Sequence, residues 1–186
     1  REKERSVVVA NCHKMPQTHF DKHILSVATI ETAIQNTVNA IRRLNPNCAF
    51  LFSISPVRHT KDGFVENQRS KAHLITALQN LLSAQQLSYS DYFPAYEIVM
   101  DELRDYRFYG NDLLHPSTMA IDYIWERFKE TTIATTALST LDDIDSIQKG
   151  LLHKPFHPES ESHQKFVSKW KEKIAQVQAQ FPFIEF

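Results

Sequence analysis

Asp112 and His115 stand three residues apart in Phe108-Tyr109-Gly110-Asn111-Asp112-Leu113-Leu114-His115-Pro116, between an apolar extended run and a helical pattern. A loop of this kind can fold the Asp112 carboxylate back onto one imidazole nitrogen of His115 and leave the other free to take a proton, which is half of a Ser-His-Asp relay. The other half should be a serine, and no serine among the 186 residues has a convincing nucleophile setting. The bland alternative for Asp112 and His115 is a chance pair at the start of a helix.

A second group is Arg58 and His59, at the end of the apolar run Ala49-Phe50-Leu51-Phe52-Ser53-Ile54. An arginine at the carboxyl end of a strand could clamp a substrate carboxylate or sulfate; it could equally form an ion pair with Asp62 or Glu66. Nine histidines also raise the question of a metal. His19 and His23 are four apart, as are His153 and His157, with Glu159, Glu161 and His163 nearby. However, Pro155 and Pro158 break any helical face in the second group, and neither shows the glutamate of an H-E-x-x-H motif. These read as surface histidines, and no metal site is assigned. Cys12 beside His13 is a poor thiol nucleophile, because adjacent strand residues point to opposite faces.

The elements that must carry these residues alternate. Val7 to Ala10 and Ala49 to Ile54 are short continuous apolar runs, as expected for strands covered on both faces. Between them Ile30, Ile34, Val38, Ile41 and Leu44 recur at helical spacing, with Ser26 as N-cap and Asn45-Pro46-Asn47 as the stop. Leu74, Ile75, Leu78, Leu81 and Leu82 mark a second helix, and Tyr92 to Val99 reads as a third strand, pushed by Pro94 toward a sheet edge or a break. Ile121, Ile124, Trp125 and Phe128 mark a third helix. This order predicts an α/β fold with a doubly wound parallel sheet, whose sites lie in the crevice at the carboxyl ends of the strands.

Past about Thr131 the composition turns rich in Thr, Ala and Ser. A helix over Leu141 to Leu152 is predicted, then a break at Lys154-Pro155-Phe156-His157-Pro158, then a final helix with Phe166, Trp170, Ile174, Val177 and Phe181 on one face. The expected division is residues 1–134 for the α/β domain and 135–186 for a helical extension packing on it.

Charge is balanced, 21 basic against 22 acidic side chains, so no nucleic-acid or anionic-membrane partner is expected. No apolar run approaches membrane-spanning length. Cys12 and Cys48 are far apart and lack C-x-x-C spacing. That fits a reducing compartment, with the cytoplasm favoured. Because the first residues lead straight into Val7-Val8-Val9, the chain is expected to be part of something longer.

Several motifs in fixed order carry a resemblance. They are Val9-Ala10-Asn11-Cys12-His13-Lys14; Ser55-Pro56-Val57-Arg58-His59 with Asp62-Gly63 and Glu66-Asn67-Gln68; Ser70-Lys71-Ala72; Tyr92 to Glu97; and Asp101 through Tyr109 to His115-Pro116-Ser117. Together they resemble the GSCFA-domain family over nearly the whole chain. That family is similar to the SGNH (GDSL-like) hydrolases, whose last signature block is a D-x-x-H-P loop feeding a helix.

The resemblance implies an SGNH-type, flavodoxin-like sheet. In it Asp112 orients His115, His115 acts as general base and then general acid of acyl-ester hydrolysis, and Asn11 donates its side-chain amide to the developing oxyanion. For Asn11 the alternative is a cap on the turn after a strand. The family's nucleophile is the serine of a Gly-Ser-Cys-Phe-Ala block. Here Gly63, Gly110 and Gly150 are the only glycines and none precedes a serine. The expectation is therefore that the N-terminal part of the sheet, with the nucleophile, lies upstream or on a separate chain.

The implied activity is a serine-type esterase acting on a small acyl ester, acetyl or similar, on a carbohydrate or other small molecule. It needs no cofactor. The competing reading is a binding or assembly module with the same fold and no catalysis.

Overall fold

A computed structural model of the chain describes residue 3, residues 7–9, 14–157 and 159–186. It divides into two compact units, Arg1–Ile124 and Trp125–Phe186, the break falling inside a helix.

The first long helix, α1 (Val27–Leu44), begins where Ser26 accepts a hydrogen bond from the Thr29 amide (3.2 Å). It ends at Asn45, ahead of the proline that cannot continue it. Strand β1 (Phe50–Phe52) follows, then α2 (Phe64–Ser83), then strand β2 (Ser90–Tyr92). The two strands pair in parallel with Phe50 opposite Ser90 and Phe52 opposite Tyr92. This β1-α2-β2 crossover makes the chain a mixed α/β protein, mostly helical, with a small two-stranded sheet among the described residues.

The core explains the helices. Val38 of α1, Leu78 and Leu81 of α2, Ile54 and Leu87 are buried in one cluster. Phe50 and Phe52, stacked at 5.9 Å, pack against it from the sheet. Successive strand residues alternate faces, so Leu51 points the other way and is 43% exposed. The expected strand covered on both faces is thus covered on one.

Two further expectations are corrected. The strand expected over Tyr92 to Val99 goes no further than Tyr92, the last residue of β2: the Phe93 amide makes the last ladder-like bond, to Phe52 O (2.8 Å). Pro94, which has no N–H to give, then opens a short helical turn, α3 (Ala95–Glu97), continuing as a π-helical turn over Ile98–Glu102. The Leu103 amide closes it by donating to Ile98 O (3.0 Å). Val7 to Val9 form no strand, and Val8 is 82% exposed. Among the described residues no strand lies beside this segment to pair its backbone. Ala10 lies outside the described residues. The described residues therefore form a parallel sheet of the predicted kind but not the full doubly wound one.

Helix α4 (Thr118–Thr132) follows the Asp112–His115 loop. In the second unit α5 (Thr135–Leu151) and α6 (Glu161–Gln180) pack on each other. Ile147 and Val177 are buried there, and the Trp170 indole lies directly on Gly150, so close that a Cβ at 150 would fall 2.3 Å from Trp170 Cε2. Phe166 stands edge-on to Trp170 (5.8 Å) and against His153 (5.2 Å). The apolar face read from the sequence of the last helix is thus the face that α6 turns inward within its own unit. No helix among the described residues is long and apolar enough to cross a membrane.

Candidate functional site

The loop before α4 is built by short-range bonds. The Leu113 amide donates to Gly110 O (2.9 Å), and Leu113 itself takes the left-handed conformation at φ 57°. That reverses the chain, a conformation a branched side chain adopts at some cost. The Gly110 amide then donates to His115 O (2.8 Å) and the Ser117 amide to Phe108 O (2.8 Å), with Tyr109 and Pro116 bridged antiparallel. Ser117 ties this hairpin to α4: its hydroxyl donates to Arg107 O (2.9 Å) and accepts from the Ala120 amide (3.4 Å).

Within this frame Asp112 Oδ1 accepts the amides of Leu114 (2.9 Å) and His115 (3.0 Å), and Oδ2 lies 2.6 Å from His115 Nδ1. The His115 amide, then its imidazole, then the Leu114 amide hold the Asp112 carboxyl well below the usual carboxylate range. An ionised carboxylate can only accept. Nδ1 must therefore carry the hydrogen, and in the neutral ring Nε2 keeps the lone pair. The sequence pattern and the geometry meet here: the aspartate fixes both the backbone of the loop and the tautomer of the histidine. The His115 side chain is 65% exposed, so the described residues do not enclose it in the expected crevice.

Arg58 and His59 lie on the segment leaving β1. Arg58 is half-buried and its Nη2 points at Met100 Sδ (3.5 Å), in the π-helical turn. The alternative ion pair with Asp62 is not made, because Asp62 bonds Lys22 Nζ (2.6 Å), which first of all causes holds its carboxyl low. The His59 side chain is exposed, while its amide donates to Asn67 Oδ1 (2.8 Å). No hydrogen bond or ion pair joins this segment to Asp112 or His115. Asn11, with Ala10, Cys12 and His13, lies outside the described residues.

Reading by residue type missed the groups that hold the β1 segment. Asn67, at 5% exposure, and Lys71 are one helical turn apart on α2. Asn67 takes the His59 amide, and Lys71 Nζ donates to Ser55 O. Their i, i+4 spacing, which puts both on one face of α2, was the available signal. Tyr92 also donates to Glu97 (2.8 Å), and Tyr123 of α4 to Glu102 (2.6 Å), so two glutamates of the α3 and π turns are engaged by tyrosines. Among the described residues no three His, Cys, Asp or Glu side chains converge as metal ligands.

The described residues thus form a mixed α/β chain with a parallel β-α-β unit and an Asp-anchored histidine on a D-x-x-H-P loop. Comparison with protein families goes further. The GSCFA family matches residues 1–128, and the GSCFA domain protein, C-terminal domain, matches residues 144–186. The chain belongs to the GSCFA family. No curated protein and no solved structure matches it.

Proposed function

We propose that this GSCFA domain serves an SGNH-like ester hydrolase that removes a small acyl group, such as acetyl, from an alcohol or carbohydrate. The observation that carries the reading is the 2.6 Å contact between Asp112 Oδ2 and His115 Nδ1, made while Oδ1 of the same carboxylate holds the loop amides. A serine hydroxyl attacks the ester carbonyl carbon and passes its proton to His115 Nε2. Asp112 stabilises the imidazolium, and the amide of Asn11 donates to the tetrahedral oxyanion. As the C–O bond breaks, His115 returns the proton to the leaving alkoxide. Water then repeats the sequence on the acyl-serine. The serine belongs to a Gly-Ser-Cys-Phe-Ala segment that is not among these 186 residues, carried by the same polypeptide or a separate one.

One observation favours a second reading. None of the three glycines is followed by serine, so a non-catalytic binding or assembly module with the same loop is the competing function. The test compares the 186-residue chain alone with the chain joined to, or mixed with, a Gly-Ser-Cys-Phe-Ala segment, using p-nitrophenyl acetate and a fluorophosphonate that labels activated serines. The hydrolase reading expects turnover and labelling only when the segment is present, both lost in His115→Ala. If the segment brings neither, the module reading replaces it.

A further inference from the structure

The segment after β1 is held at two points by one face of α2. Lys71 Nζ donates to Ser55 O, and Asn67 Oδ1 accepts the His59 amide (2.8 Å). Ser55 adds a local turn, its hydroxyl accepting the Val57 amide (3.2 Å). Arg58 sits between the two pins, half-buried, and its one polar contact among the described residues is the Met100 thioether (3.5 Å). A thioether is a weak acceptor, and a guanidinium has five N–H donors in a fixed fork. Among the described residues most of the donors of this fork are unused.

Among the described residues neither of the acids nearest in sequence bonds Arg58. Asp62 bonds Lys22 (2.6 Å), and a Glu66 carboxylate oxygen lies over Gly63, 2.5 Å from where a Cβ would stand. Among the described residues no carboxylate is bonded to Arg58, Lys71 or the exposed His59 ring. The segment also leaves the carboxyl end of a parallel strand, the edge at which ligands bind in open α/β sheets.

We propose that Ser55–His59 is an anion-binding subsite, in which the Arg58 guanidinium takes an oxyanion group (carboxylate, sulfate or phosphate) borne by the ligand of this domain. This rests on the hydrolase reading for one point only, that the ligand is an ester: the substrate class becomes anionic esters. Arg58 binds through two parallel N–H···O bonds. Asn67 and Lys71 are positioning residues, keeping the fork aimed before the ligand arrives.

The test is an NMR titration of the 186-residue chain at constant ionic strength, with chloride as reference and three probes: sulfate, inorganic phosphate and succinate monomethyl ester. Saturable shifts of the Arg58 Nε–H and the Val57 and His59 amides are expected with at least one probe. A response to sulfate and phosphate alone assigns a tetrahedral oxyanion, and a response to the half-ester alone a carboxylate. Arg58→Gln should weaken binding at least tenfold, and Arg58→Lys, which keeps the charge but not the fork, should fall between. Shifts no larger than those with chloride, or equal affinity in Arg58→Gln or in Arg58→Lys and Arg58→Gln together, would overturn the proposal. Binding of these probes needs no nucleophile, so a negative titration leaves the hydrolase reading standing. A positive one alongside an inert complete protein removes the hydrolase reading and leaves the subsite.

Discussion

Asp112→Asn separates the two tasks of one carboxylate. The amide keeps an oxygen where Oδ1 accepts the Leu114 and His115 amides at 2.9 and 3.0 Å, so the loop should hold its shape. At the Oδ2 position, 2.6 Å from His115 Nδ1, it puts an NH2 group, which can only donate. Nδ1 must then accept, the hydrogen moves to Nε2, and the nitrogen that should take the serine proton has no lone pair to offer. In a Ser-His-Asp relay this tautomer error costs about ten-thousand-fold in kcat, and that loss is expected here in the protein supplied with its nucleophile segment.

The structural half can be read in the 186-residue chain itself. At a pH where the ring is neutral, imidazole 15N shifts should report the Nδ1–H tautomer in the natural protein and Nε2–H in Asp112→Asn, with the Leu114 and His115 amide shifts little changed. Asp112→Ala should move those amides as well, because it removes the oxygen they bond. If the tautomer is the same in both proteins, or if Asp112→Asn retains more than a tenth of the esterase rate, the orienting role of Asp112 is wrong.

Three further outcomes are expected. Gly150→Ala should destabilise the second unit by about 1–3 kcal/mol of overpacking, set against about 1 kcal/mol gained in helix propensity, because Trp170 Cε2 would stand 2.3 Å from the new methyl; a raised thermal midpoint would contradict the packing. Asn67→Leu strands the His59 amide and should cost about 1–3 kcal/mol as well as loosening Arg58, seen as faster amide exchange at 57–59. The depressed Asp112 pKa means that its stabilisation of the loop is present above the ordinary carboxylate value of 3.8 and is lost only as pH falls through the lower folded value. The Leu114 and His115 amide shifts should therefore hold through pH 3.8, and a midpoint there would refute the bonding.

Much of this protein is local and so was determined by sequence. α1 begins at Ser26 and stops at Asn45-Pro46 because a capping hydroxyl and a missing N–H act within one turn. Asp112 reaches His115 because three residues and a left-handed turn at Leu113 span the gap, whatever the rest of the chain does. The alternation of apolar runs and helical spacing likewise indicated the parallel β-α-β unit.

Tertiary structure decided what depends on partners far along the chain. Pro94 could be seen as a strand breaker, but whether Tyr92 to Val99 crossed it or turned into a helix depended on where Phe52 offered its last carbonyl. Asp62 chose Lys22, forty positions away, over the nearby Arg58, and Arg58 came to rest on Met100, forty-two away. Gly150, whose type weakens a helix interior, is the space into which Trp170 packs. Short-range bonds are chosen by chain stiffness, which residue types encode directly. Long-range ones are chosen by competition among all the surfaces and charges that folding brings within reach, and only the folded chain resolves that competition.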